Sequence, residues 1–209
     1  MYLQGEGMKR LAKGLTTLVF CLLVVMPAYA ELDRQVIYLF GDDRALVLVG
    51  KRCEGTLFYV DNKQKFATQV TTGFDLPLFP FIHPSKQYIA IPYSDLSGFR
   101  VSKDGGRTFE RARFLPGGGA EEFKGNHPLV KDVVSFTVVG DQGFFLTKQN
   151  YIYLSSKPFG DRWGLDYMAI NSIPGTVIED RENFQNLPTS VPEVKDYKGW
   201  THMQCDPTR

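Results

Sequence analysis

The 209-residue chain has only three cysteines and three histidines, and none of them falls in a pattern that makes chemistry. His83, His127 and His202 form no H-x-H, no H-E-x-x-H and no Cys/His zinc spacing. His83 and His127 each precede a proline, an extended loop position, so a structural role outweighs metal ligation. No G-x-S-x-G elbow occurs to expose a nucleophilic serine. Gly117-Gly118-Gly119 is followed by no Lys-Ser/Thr pair and reads as a flexible loop, not a phosphate cradle. The carboxylate pairs Asp42-Asp43 and Glu121-Glu122 are adjacent in sequence, which sends strand side chains to opposite faces and not into an acid/base dyad. No catalytic residue, metal or cofactor is therefore assigned. These absences do not exclude an enzyme, but no pattern asks for one.

Charge of one sign is also missing. Lys and Arg number 24 and Asp and Glu 23, with no like-charge run. That balance argues against nucleic acid or an anionic membrane surface as a main partner. After residue 30 no stretch keeps a 3.6-residue apolar period, which removes amphipathic helices from the expected fold.

The one long apolar run is near the start. Residues 8–30 place Lys9, Arg10 and Lys13 before an apolar stretch from Leu15 to Met26. Pro27 and a small-x-small site, Ala28-Tyr29-Ala30, follow. This is the layout of a secretory signal peptide, and the run is too short for a stable membrane span. Residues 1–7 fit no part of that pattern, and Met8 is the better start. Cys21 follows Phe20 where lipoprotein processing needs a small residue, so a lipid anchor is rejected. The expected mature protein is a single β domain over residues 31–209, outside the cytoplasm. Its 21 basic and 22 acidic residues nearly cancel. Only Cys53 and Cys205 remain in it, and an oxidising compartment favours their pairing. Two free thiols are the alternative, although no Cys-x-x-Cys is present.

The rest reads as β. Val36–Phe40, Ala45–Val49, Thr56–Asp61, Phe66–Val70, Tyr88–Pro92, Gly98–Ser102, Phe109–Phe114, Val133–Val139, Gly143–Thr147, Tyr151–Ser155 and Asp166–Ile170 are rich in β-branched and aromatic residues and are separated by Gly, Asp and Asn turns. Three segments, Leu46–Val70, Ile89–Phe114 and Phe136–Tyr167, repeat one order of strands and hairpin at a spacing of about 40 to 55 residues, near that of a propeller blade. Ser102-x-Asp104-x-Gly106-x-Thr108-Phe109 matches the Asp-box of sialidases and related propellers, with Phe for the usual Trp. In such a box the carboxylate accepts turn amides and the glycine takes φ > 0, so the motif is structural, and Asp104 is a poor catalytic candidate. The expected fold is all-β and antiparallel, a small or incomplete β-propeller-like domain of about four units at ~45 residues each. A β-sandwich is the alternative.

Three loops have the composition of contact surfaces. Thr72–Pro84 holds Phe79 and Phe81 among prolines, Pro116–Pro128 holds Glu121, Glu122, Phe123 and Lys124, and Phe159–Tyr167 holds Arg162 and Trp163. These eight residues are the candidates for partner binding. Phe79, Phe81 and Trp163 also suit the core beneath their loops.

As a set, His83–Pro92, Ser102–Phe109, Ala112–Gly118, Val134–Val139, Tyr153–Phe159 and Val191–Cys205 resemble the enterobacterial family of immunity proteins for type VI secretion phospholipase effectors. The resemblance spans nearly the whole mature chain, and Cys53 and Cys205 match a cysteine pair of that family. The segment between Tyr167 and Pro188 is shorter here, which implies a reduced last unit. The resemblance implies a periplasmic protein, without enzymatic activity, that binds a cognate lipase toxin and neutralises it. An envelope glycan-binding or glycan-hydrolysing protein, suggested by the Asp-box, is the alternative. A scaffold with neither activity is a third possibility.

Overall fold

A computed structural model describes residues 33–113, 129–150, 152–155, 157, 168–169 and 190–209. Strands β1 (Asp33–Leu39), β2 (Arg44–Lys51), β3 (Glu54–Asp61) and β4 (Phe66–Asp75) form a four-stranded antiparallel meander. After the short strand β5 (Phe81–Ile82), strands β6 (Ile89–Pro92), β7 (Gly98–Ser102) and β8 (Glu110–Arg113) form a three-stranded antiparallel sheet. Strands β9 (Val133–Val139), β10 (Gln142–Thr147), β11 (Ile152–Leu154) and β12 (Met168–Ala169) form a further meander, and β5 joins its β9 edge in parallel. The fold is all-β, no sheet closes into a barrel, and no α-helix occurs among the described residues. Each of the three repeated segments occupies a sheet of its own. The described residues therefore form three sheets, where repeat spacing gave about four units.

The sheets converge on one aromatic core. Tyr38 of the first sheet packs on Phe81 with ring centroids 4.7 Å apart. Phe81 stacks on Phe136 at 5.7 Å, and Phe136 meets Phe99 of the three-stranded sheet at 5.4 Å. All four side chains are fully buried. Such offset and tilted pairs add about 0.5–1.5 kcal/mol each beyond area burial. A bulge at Ile37, which lies between the Val36↔Val47 and Tyr38↔Leu46 pairs, lets Ile37 and Tyr38 both be buried despite being neighbours.

The segment 197–209 closes the assembly. It runs antiparallel to β1: Trp200 N–H donates to Leu39 O at 2.8 Å and Gln204 N–H to Ile37 O at 2.8 Å. The Gln35 side chain clasps Asp206, accepting from its N–H at 2.8 Å and donating to its carbonyl at 3.1 Å. Arg209 forms a two-pronged ion pair with Asp33. On its other side the segment reaches β5, where Phe81 N–H donates to Thr201 O at 2.8 Å. This strap covers the β1 edge, which would otherwise be open to pairing with another chain. It also joins the first sheet to the third.

A disulfide pins the strap. Cys53 bonds Cys205 across 152 residues of sequence, with a Cα–Cα distance of 5.8 Å. Cys53 lies in the tight β2–β3 turn, where Arg52 and Cys53 both have positive φ, 54° and 66°. Such a turn favours Asn-Gly, and each ordinary residue in that region costs roughly 1–2 kcal/mol. The crosslink and a hydrogen bond from Arg52 N–H to Arg209 O hold the turn in place. A loop of this length gives the bridge about 5 kcal/mol in the chain-entropy picture.

Tyr38, Tyr197 and His83 link in one chain of hydrogen bonds within the core. Tyr38 Oη donates to Phe81 O at 3.0 Å and lies 2.6 Å from Tyr197 Oη. Tyr197 Oη in turn accepts His83 N–H at 3.4 Å. The His83 ring is fully buried between Phe40 and Phe81, and its Nε2 accepts the Ala90 amide at 3.1 Å. An accepting Nε2 places the ring proton on Nδ1. Burial, reinforced by the nearby Arg44 cation, lowers the His83 pKa to about 3.

The neutral His83 generates a pH test. Between pH 6.5, where the unfolded chain takes up this proton, and about 3, the unfolded state binds one more proton than the folded state. His83 therefore adds a loss of stability as pH falls below 6.5, with a slope approaching ~1.4 kcal/mol per unit. Asp104 and Asp206, whose pKa values are lowered from 3.8, lose their contributions as pH falls from about 4 downward, below the interval from pH 7 to 5. Urea unfolding at pH 7, 6 and 5 is expected to show this slope in the native chain and not in His83→Gln, which keeps an acceptor for Ala90 without titrating.

Candidate interaction surface

The residues singled out in sequence have different fates in the fold. Cys53 and Cys205 come together in the disulfide. Phe79 and Phe81, offered as partner contacts, are 3% and 0% exposed and pack in the core. The correction has a physical cause: β5 pairs with β9, and that turns the aromatic loop inward. The side chain this loop does expose is Leu78, at 82%. Glu121, Glu122, Phe123, Lys124, Arg162 and Trp163 lie outside the described residues, as do residues 1–30 and His127. His202 is exposed and shares a hydrogen bond with its neighbour Thr201.

The Ser102–Phe109 turn is built from the groups its sequence names. Asp104 Oδ1 accepts the Arg107 and Thr108 amides at 3.0 Å each and the Ser102 hydroxyl at 2.8 Å. Asp104 Oδ2 accepts the Thr108 hydroxyl at 2.6 Å, and Ser102 Oγ accepts the Gly106 amide at 2.8 Å. These bonds hold the Asp104 pKa below its ordinary value against the opposing effect of partial burial. The carboxylate is thus committed to its own turn and has little left for chemistry.

The turn also docks one sheet on another. The Arg107 guanidinium lies 4.7 Å from the Phe66 ring centroid and donates to Gln64 Oε1 at 2.6 Å. Thr68 Oγ1 donates to Arg107 O at 3.4 Å, and Phe109 packs on Tyr59. Gly106, at φ +90°, sits directly on the buried Tyr59 ring.

Beside this junction an open cleft of about 300 Å³ lies between β4 and the three-stranded sheet. Thr71–Asp75 form one wall, and Tyr93–Asp95 with Arg111 form the other. The β7–β8 register sets Arg100 directly opposite Arg111. The Tyr93 ring faces both guanidiniums, with centroid distances of 5.9 and 5.8 Å. Gly98 makes this possible, since a Cβ there would come within 3.2 Å of the ring and 2.5 Å of Ala112 O. Arg100 Nη2 donates to Thr71 Oγ1 at 3.1 Å, tying the two walls together. Thr72–Asp75 belong to the Thr72–Pro84 loop singled out in sequence, but Tyr93, Arg100 and Arg111 did not stand out there. The signal was nonetheless available: the length of the Ser102–Phe109 turn fixes which residues of β7 and β8 face each other.

A family model described as T6SS Tli3 immunity protein matches residues 30–137. No curated protein matches the chain. The matched range includes the first sheet, β5, the Ser102–Phe109 turn and every residue of the cleft.

The turn offers a test by contrast. A Cβ at Gly106 would lie 2.2 Å from the Tyr59 ring, whereas one at Gly105, also at positive φ (73°), would meet nothing closer than 3.6 Å. Gly105→Ala should cost only the backbone term, about 1–2 kcal/mol. Gly106→Ala adds overpacking of a buried aromatic and should cost about 1–3 kcal/mol more. Denaturant unfolding of the two variants measures the difference; equal losses would show that the turn does not bear on Tyr59.

Proposed function

The chain belongs to the T6SS Tli3 immunity protein family, and on that premise we propose that it neutralises a type VI secretion phospholipase toxin in the periplasm by covering the toxin's working surface. The family match is the observation that carries this reading. Three features of the chain support it. The basic, apolar and small-x-small layout of residues 8–30 is that of an exported protein. The Cys53–Cys205 bond suits an oxidising compartment. The groups that would draw attention as catalysts are engaged in structure: His83 is buried and bonded to Ala90, and Asp104 is bound up in its turn.

On this reading the protein acts by binding and not by catalysis. The toxin arrives in the periplasm, where its phospholipid substrates are exposed, and the inhibitor must already be folded there. A rigid, crosslinked β domain meets that need, because little ordering cost remains to be met on binding. The glycan-binding alternative rests on the Ser102–Phe109 turn. The carboxylate and hydroxyls of that turn are satisfied within it, so it offers a sugar little.

The test is direct. The full chain, expressed with its leader, should be recovered from the periplasm with a mass that begins at Glu31. Mixed with the lipase encoded beside its gene, it should form a stoichiometric complex and abolish phospholipase activity. Recovery of active, uncomplexed lipase at excess inhibitor would overturn the reading.

A further inference from the structure

We propose that the cleft between β4 and the three-stranded sheet is a recognition site for the effector, and that it receives a carboxylate-bearing side chain at Arg111; this rests on the immunity reading above. Arg100 and Arg111 are directly opposed on paired strands, and like charges in that arrangement destabilise a sheet. Among the described residues neither guanidinium has a carboxylate partner within ion-pair distance. The Tyr93 ring lies within cation–π distance of both guanidiniums, which offsets part of the cost.

The donors are set for an acceptor that the described residues do not supply. Arg100 Nη2 is taken by Thr71, but its Nε is buried with no partner. That buried donor does not line the cleft, so the guanidinium open to an incoming acceptor is that of Arg111. Arg111 is exposed at the cleft mouth, with its planar fork held against Tyr93. A guanidinium held in this way is matched to a carboxylate by two parallel hydrogen bonds, which a lysine in the same place could not make. An incoming carboxylate would also neutralise the Arg100–Arg111 repulsion.

The cleft selects further. Asp75 and Asp95 stand on its rim, so a multiply charged anion such as a phosphate group would meet repulsion there. Asp95 is already occupied by the Ser97 amide and hydroxyl, at 2.9 and 2.8 Å. The ligand that fits is therefore a polypeptide segment with one acidic side chain over Arg111 and a cation or hydrogen-bond donor toward Asp75. The volume of about 300 Å³ suits one or two side chains, not a whole domain edge.

Calorimetric titration with the purified neighbouring lipase tests this, using the full exported chain, Arg111→Glu, Arg111→Lys and Lys148→Glu. The native chain should bind. Arg111→Glu should weaken binding roughly tenfold or more, and Arg111→Lys less, because charge survives but the fork does not. Lys148→Glu, an equal change of charge in the β10–β11 turn, should bind as the native chain does. Arg111→Lys and Lys148→Glu should unfold at the native temperature, and Arg111→Glu at that temperature or slightly above it, since it replaces the Arg100–Arg111 repulsion with an opposite-charge pair. If Arg111→Glu binds as tightly as the native chain, the cleft assignment falls and the immunity reading stands. If Arg111→Glu loses thermal stability in step with affinity, the partner of Arg111 is within the chain and the assignment also falls. If the native chain itself does not bind, both fall together.

Discussion

One covalent bond and a short antiparallel run determine how this fold closes. The 197–209 strap lies along the β1 edge and touches β5, and Cys53–Cys205 fixes it there. Without the strap, β1 would present open backbone groups, and Phe81 N–H would lose its acceptor inside the core. The Tyr38–Tyr197–His83 chain of hydrogen bonds would also lose its middle member. Each hydrogen bond contributes only about 1 kcal/mol net. Their effect comes from acting together at a seam where three sheets share one aromatic core. The disulfide matters because it removes the freedom of a 152-residue separation from the unfolded chain.

A second seam carries the candidate surface. The Ser102–Phe109 turn leans on Tyr59, Phe66 and Thr68 of the first sheet, and Arg100 crosses to Thr71. The cleft is formed where these two sheets meet, so its walls inherit the rigidity of the junction. Side chains held by packing and cross-sheet hydrogen bonds lose little entropy when a partner arrives. The same turn that stabilises the junction sets the β7–β8 register, and that register opposes Arg100 to Arg111. Stability and recognition thus share a local cause.

Much of the fold could be read from the sequence because strands announce themselves. Gly98–Ser102 and Val133–Val139 form at the bounds their composition suggests, since β-branched and aromatic runs between turn residues suit a pleated, half-buried surface. The cysteine pairing followed from the signal-peptide-like layout of residues 8–30 and from there being only two cysteines after it. What could not be read was long-range. β5 is two residues long and pairs in parallel with a strand 55 positions away, so Phe79 and Phe81 looked like a contact loop when they are core. The strap has no alternating apolar pattern, because it pairs through backbone groups and covers an edge. The cleft depends on a cross-strand register and on a glycine under a tyrosine ring, and neither is a feature of composition.

The central claim is that the disulfide-pinned strap holds the first and third sheets together. Amide hydrogen exchange of the oxidised and reduced protein, followed residue by residue, tests it most directly. Reduction should strip protection from the amides of Phe81, Trp200 and Gln204, while the β7–β8 pairs Arg100↔Arg111 and Val101↔Glu110 stay protected until global unfolding. Unchanged protection at Phe81, Trp200 and Gln204 after reduction would contradict the account.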